Sequence, residues 1–98
     1  MGKVTFVDEA TSGERREAGG LHATEQRLTL RELIRRRVAC EVAPGEAEGA
    51  YARAVAAFGR NGFLVLVGDR QVEELDETVE LGRDTEVTFL RLVPLAGG

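Results

Sequence analysis

Few side chains in this sequence are of a type that carries out chemistry by itself. Among the 98 residues there is one cysteine, Cys40, and one histidine, His22. A tetrahedral zinc site or an iron–sulfur cluster needs more Cys and His ligands than this, and a single thiol excludes an internal disulfide. One histidine also gives no Ser-His-Asp arrangement. The residue types therefore predict no catalytic residue and no bound metal, and an enzyme is not expected.

Carboxylates form the densest group of charged side chains. Seven of them lie between Glu73 and Glu86, where Arg83 is the only basic residue. The pairs at residues 73–74 and 76–77 are of a type used in hydrolysis, but nothing in the sequence marks a pocket around them. Two interpretations stay open for this run: a solvated loop face, or an acidic patch that contacts a basic partner.

The overall composition narrows the classes of partner. The net charge is −4, whereas nucleic-acid binding needs a basic face. The longest apolar run, residues 63–67, is far shorter than the roughly 20 residues that cross a bilayer. The N-terminal segment lacks the apolar stretch of a signal peptide, and the residues after Gly2 do not match a myristoylation signal. We therefore expect a cytoplasmic protein with no nucleic-acid and no membrane partner.

The first third of the chain predicts a hairpin. Residues 3–8 alternate, with Val4 and Phe6 on one face, which is typical of a strand. Residues 9–20 contain three glycines and almost no apolar side chain, which indicates a long, mobile hairpin loop. A mixed pattern over residues 21–28 predicts the second strand.

The middle of the chain predicts two helices. Thr29 and Glu32 form a capping box. Apolar residues follow it at helical spacing: Leu30, Leu33, Ile34, Val38 and Val42. This first helix should end near residues 44–45 and pack on the sheet. Cys40 lies at the edge of its apolar stripe, where a half-buried, inert thiol is expected; a thiol activated by the preceding arginines is the alternative. An alanine-rich pattern over residues 46–58 predicts the second helix.

The last third of the chain predicts further strands. The unbroken apolar run at residues 63–67 suits a strand buried on both faces, and residues 71–73 suit a short edge strand. Residues 74–84 have no regular pattern, and residues 85–93 alternate as a final strand. Pro94 then ends the pairing because it has no N–H to donate. Together the elements predict an α+β domain: a mixed sheet of four to five strands, a main helix packed on one face and an additional helical segment.

The C-terminal sequence resembles a known family. Residues 87–98, VTFLRLVPLAGG, join an apolar last strand to a proline and a terminal diglycine. Residues 81–87, LGRDTEV, resemble the approach to that strand, and residues 29–34, TLRELI, resemble the start of the main helix. These features resemble ubiquitin-like β-grasp proteins, most closely the sulfur carriers: the small subunit of molybdopterin synthase and the thiamine-pathway carrier ThiS.

The resemblance implies a domain organisation and a function. It implies a β-grasp domain over residues 1–94, with the loop at 9–20 and a helical insertion at about 44–62, followed by a flexible diglycine tail at 95–98. Such a carrier binds no cofactor itself. An adenylating, E1-like enzyme uses ATP to activate Gly98, which becomes a thiocarboxylate. The sulfur then passes to a sulfur-accepting synthase in cofactor or metabolite biosynthesis. Two alternatives stay open: a ubiquitin-like modifier that is conjugated through its C-terminus to a target protein, and a non-covalent β-grasp binding module.

Each tail residue has an expected role under this resemblance. Gly97 and Gly98 are the acyl donor, since glycine has no Cβ and fits a narrow channel. A partner-docking role falls to Pro94, which stiffens the exit from the strand, and to Leu95 and Ala96. Residues 95–98 are expected to be disordered in the free protein, because one leucine cannot offset the entropy of ordering four residues.

The last strand also offers a docking surface. Leu90 and Leu92 alternate with charged and aromatic residues near its end, and they are the candidate partner surface.

Overall fold

Seven strands and two helices follow one another in the part of the chain that the computed structural model describes, residues 2–92. The strands are β1 (Gly2–Ala10), β2 (Arg15–Ala23), β3 (Arg27–Thr29), β4 (Phe63–Val67), β5 (Arg70–Val72), β6 (Thr78–Glu80) and β7 (Asp84–Arg91). The helices are α1 (Leu30–Glu41) and α2 (Ala47–Gly59), with a 3-10 turn at Pro44–Glu46 between them.

Five strands form one mixed sheet in the order β2-β1-β7-β4-β5. β1 and β7 are parallel, and every other neighbouring pair is antiparallel. Parallel neighbours need a crossover, which the chain makes through the helices and the later strands. β3 and β6 form a separate two-stranded ladder. The predicted α+β class is confirmed, and the arrangement is compatible with a β-grasp fold.

The core lies between α1 and one face of the sheet. Alternate residues of the strands point to it, as the two-residue period of a strand requires. The fully buried side chains include Val4 and Phe6 on β1, Val65 on β4 and Val87 on β7. From α1 they meet Leu30, Leu33 and Ile34.

The start of α1 is held from two sides. The Thr29 hydroxyl accepts a hydrogen bond from the Glu32 N–H at 3.2 Å, which is one half of the predicted capping box. The Glu32 carboxylate accepts from Arg36 Nε at 3.0 Å. The backbone N–H groups of Leu30 and Arg31 donate to carbonyls of residues 75–77, so two N–H groups that have no partner within the helix are satisfied.

Helix α2 occupies the predicted second helical segment and packs beside α1. The Arg35 guanidinium lies 4.0 Å from the centre of the Tyr51 ring, and the Phe58 ring lies 5.8 Å from that of Phe63. None of its residues is fully buried, so it is attached mainly through these partly exposed contacts. Among residues 2–92, neither helix is long and apolar enough to cross a membrane.

The prediction of a long loop over residues 9–20 is wrong. β1 continues to Ala10 and β2 begins at Arg15, which leaves a turn at residues 11–14. β2 lies at the edge of the sheet and takes its order from backbone pairing with β1 and from cross-strand ion pairs such as Arg15–Glu9. A strand held in this way needs few apolar side chains, which is why its sequence resembles a loop.

A bulge explains the glycines of β2. The pairing of β1 with β2 shifts register between Thr5 and Val7. Opposite this shift, a Cβ at Gly20 would lie 2.5 Å from the Val4 carbonyl oxygen. Only glycine allows the two strands to approach this closely.

The predictions for residues 21–28 and for residues 74–84 both need correction. β2 ends at Ala23, and the rest of the predicted second strand becomes β3. Its partner β6 lies inside residues 74–84, which were predicted to be irregular. Three-residue strands carry too little periodicity to be recognised, although Leu28 and Val79 at their centres are buried.

The run at residues 63–67 forms β4 as predicted, but the prediction that this strand is buried on both faces is wrong. Val65 alone of the five is fully buried. The other face of the strand is partly exposed, because α1 covers only one side of the sheet. Cys40 is also more exposed than predicted and lies on the surface of α1.

Candidate functional site

β7 carries the chain through the interior of the sheet to one of its ends. It pairs with β1 along its whole length and with β4 over residues 87–91, so both edges are paired over the last five residues of the strand. Leu92 is the last residue that the structure describes. The predicted tail roles of Pro94, Leu95, Ala96, Gly97 and Gly98, and the expected disorder of residues 95–98, fall outside the described residues.

The uncovered face of the sheet has an apolar half. Leu90 pairs with Leu64, and Leu66 pairs with Thr88, so these side chains share the face opposite α1. The same alternation places Leu92 on this side, and it is 44% exposed. We call Leu64, Leu66, Leu90 and Leu92 the apolar patch. The patch adjoins the end of β7.

Leu64 and Leu66 are the part of this surface that sequence reasoning missed. The sequence predicts Leu90 and Leu92 as a partner surface, whereas it predicts the run at residues 63–67 to be buried on both faces. The missing information was the register between β4 and β7, which sets Leu64 beside Leu90. Alternation within β4 alone gives its two faces but not which one α1 covers.

The other half of the uncovered face is polar and closed by ion pairs. Arg15 donates to Glu9 at 3.1 Å and to Glu86 at 2.8 Å. This bridge spans the positions of Val7 and Thr88, register partners that are 3% and 4% exposed. The hydrogen bond to Glu86 is the main reason that the pKa of Arg15 is raised. These charged side chains pair with one another. The exposed apolar area of this face therefore lies in the apolar patch.

On the helix side, an ion pair fixes α1 above the same end of the sheet. Arg37 of α1 donates two hydrogen bonds to Asp8 of β1, at 2.6 and 2.9 Å. Its guanidinium lies 4.8 Å from the centre of the Phe89 ring, and Glu41 is a further partner. The hydrogen bond from Arg37 is the main cause that lowers the pKa of Asp8. An open groove of about 750 Å³ lies beside this pair, and Arg91 is part of its lining.

The remaining residues with reactive side chains are dispersed. His22 pairs with Lys3 across β1 and β2, and Cys40 is exposed on α1. Asp76 pairs with Arg31, and Glu77 pairs with Arg70. Within residues 2–92 no group of three His, Cys, Asp or Glu side chains is arranged to hold a metal ion.

Comparison of the sequence with protein-family models and with curated proteins gives no relative from which a site could be transferred. No protein-family model matches the chain, and no curated protein is similar to it in sequence.

Proposed function

We propose that this protein is a ubiquitin-like sulfur carrier whose Gly98 is activated by an adenylating enzyme and converted to a thiocarboxylate. The observation that carries the proposal is the path of β7. It is paired on both edges and ends beside an apolar surface that α1 leaves uncovered. A carrier needs this combination, since the rigid sheet presents the tail and the adjoining surface holds the partner.

The chemistry requires a partner because a free carboxylate is a poor acyl donor. The Gly98 carboxylate attacks the α-phosphate of ATP, which gives an acyl-adenylate and releases pyrophosphate. A sulfide equivalent then attacks the acyl carbon, and AMP leaves with the C–O bonding electrons. The product is a terminal thiocarboxylate. The carrier contributes the acyl group and its position, and the partner contributes the catalytic groups.

The apolar patch supplies the docking surface in this proposal. Four leucines are too few for a permanent assembly, which buries a much larger apolar area. They suit a transient complex, in which the carrier leaves one enzyme and binds the next. Pro94 and Leu95 would extend the same contact toward the partner's channel, with Gly97 and Gly98 inside it.

The test is the intact mass of the protein after incubation with ATP, a sulfur donor and candidate activating enzymes from its own genome. The proposal expects one oxygen to be exchanged for sulfur. A matched control carries one extra alanine after Gly98 and should keep its mass. Two results oppose the proposal: no ATP-dependent product with any activating enzyme, or function that survives the blocked C-terminus. The latter favours a non-covalent binding module. Peptides that carry a diglycine remnant on lysines of other proteins would favour the modifier.

A further inference from the structure

A second groove opens on the sheet where β5 parts from β4. β5 pairs with Val65, Leu66 and Val67 only. Backbone groups alternate along a strand, so those of Leu64 point to β7, as those of Leu66 do. In the half of β4 that β5 leaves, Phe63 is the residue whose N–H and C=O point to the open side, and within residues 2–92 no backbone group pairs with them there. The groove has a volume of about 570 Å³ and runs between this half of β4 and residues 73–76. An unpaired backbone N–H and C=O within a groove can pair with the backbone of an extended peptide.

The groove combines an apolar floor with an acidic rim. Phe58, Phe63, Leu64 and Leu75 supply apolar side chains. Glu73, Glu74 and Asp76 supply three carboxylates. We call this the acidic groove.

The rim of the groove carries more carboxylates than basic side chains. Asp76 accepts from Arg31 at 3.2 Å. Within the described residues, the exposed side chains of Glu73 and Glu74 have no basic partner. Three carboxylates against one guanidinium leave two negative charges in excess, so the groove is complementary to a cationic ligand.

The rim is held in place before any ligand binds. The carbonyls of Leu75 and Glu77 accept from the first N–H groups of α1, at 2.8 and 3.0 Å. The Glu77 carboxylate accepts from Arg70 at 2.6 Å and from the Glu73 backbone N–H at 3.4 Å. The same hydrogen bond from Arg70 is the main cause that lowers the pKa of Glu77, so this anchor stays ionised. A fixed rim reduces the entropy lost on binding.

We propose that the acidic groove binds an extended basic segment of a partner protein. The segment lies extended in the groove, and its backbone pairs with the N–H and C=O of Phe63. Alternate apolar side chains of the segment contact the groove floor, and Lys or Arg side chains between them pair with Glu73 and Glu74. Leu64 belongs both to this groove and to the apolar patch, so one partner can contact the two surfaces together. This inference goes beyond the carrier function and does not require Gly98.

The experiment is an NMR titration of the ¹⁵N-labelled full chain with a blocked peptide that alternates leucine and arginine. The proposal expects amide shifts to concentrate at Phe63, Leu64 and residues 73–75. Raising the salt concentration should weaken binding, because exposed charges are screened. The same peptide with glutamate in place of arginine should give no localised shifts.

Two charge-matched variants test the site. The groove variant combines Glu73→Gln, Glu74→Gln and Asp76→Asn, and should bind the leucine–arginine peptide about tenfold more weakly, as expected for three exposed charges together. The control variant combines three substitutions elsewhere: Glu17→Gln, Glu80→Gln and Asp84→Asn. It changes the net charge equally and should bind within about twofold of the natural sequence.

Several results would overturn the inference. Equal weakening in the two variants would mean that only net charge attracts the peptide. Three further results would also overturn the inference. They are shifts confined to residues outside the groove, binding of the glutamate peptide, and no shifts at millimolar concentrations of the leucine–arginine peptide. Adding an alanine after Gly98 should leave peptide binding unchanged, so failure of the carrier proposal and failure of this one are separately visible.

Discussion

The two faces of the sheet carry similar apolar side chains but differ in how far these are buried. The face under α1 holds Val4, Phe6, Val65 and Val87, which are fully buried. The uncovered face holds the apolar patch, whose members are partly exposed. Burial of an aliphatic side chain contributes about 1.5–3 kcal/mol to stability only when water is fully removed from it. The covered face therefore supports the fold, whereas the uncovered face leaves apolar area exposed, which is the area that the carrier proposal assigns to a partner.

The largest expected effect is on the covered face. Leu33→Ala removes a side chain that is fully buried against the sheet and leaves a cavity. We expect the free energy of unfolding to fall by about 2–5 kcal/mol, as for other leucines of this kind. Urea unfolding followed by circular dichroism measures it. A loss below about 1 kcal/mol would mean that α1 is not packed as described.

An intermediate effect is expected at the ion pair that fixes α1. Asp8→Asn removes the charge that receives two hydrogen bonds from Arg37, and should lower the free energy of unfolding by about 1–3 kcal/mol at neutral pH.

The effect of Asp8→Asn should depend on pH. Folding lowers the pKa of Asp8, so its stabilisation is complete above the unfolded value and is lost as pH falls through the folded value. The difference between the two proteins should shrink as pH falls below about 4, the ordinary pKa of an aspartate in the unfolded chain, and through the lower pKa of Asp8 in the folded protein. Urea unfolding at a series of pH values measures this difference. If the difference in free energy of unfolding were independent of pH, the ion pair between Asp8 and Arg37 would not be the cause of the lost stability.

A small effect on stability is expected on the uncovered face. Leu92→Ser should change the free energy of unfolding by less than about 0.5 kcal/mol, because the side chain is 44% exposed. Under the carrier proposal, the same change should raise the KM of the activating enzyme for this protein, since a docking contact is removed. Thr24→Ser, at an exposed position away from the patch, is the matched control. A marked loss of stability with unchanged KM would reverse the assignment of the two faces.

The sequence predicts the fold well where periodicity is long. The capping residue Thr29 and the apolar stripe of α1 were identified from their spacing, and the hydrogen bond to Glu32 confirms the cap. The strand at residues 85–93 was also predicted, and β7 covers Asp84–Arg91. These elements are specified by local patterns that do not need a partner strand to be recognised.

The errors occur where tertiary pairing decides the structure. β2 was predicted in part as a loop, because its order comes from pairing with β1 and not from its own side chains. Leu64 and Leu66 were predicted as buried, because a single sequence does not give the face that α1 covers. The acidic groove could be predicted only in part: its carboxylates are plain in the sequence, but the unpaired backbone groups of Phe63 depend on where β5 ends.

The most direct test of the carrier proposal is a truncated protein that lacks Gly97 and Gly98. The truncated chain should unfold at nearly the same temperature as the natural one, since the fold rests on the packing between α1 and the sheet. Under the carrier proposal, ATP–pyrophosphate exchange by the activating enzyme depends on the carrier and should be abolished by the truncation. A large fall in melting temperature, or exchange that persists without the two glycines, would contradict the claim that they are the acyl donor.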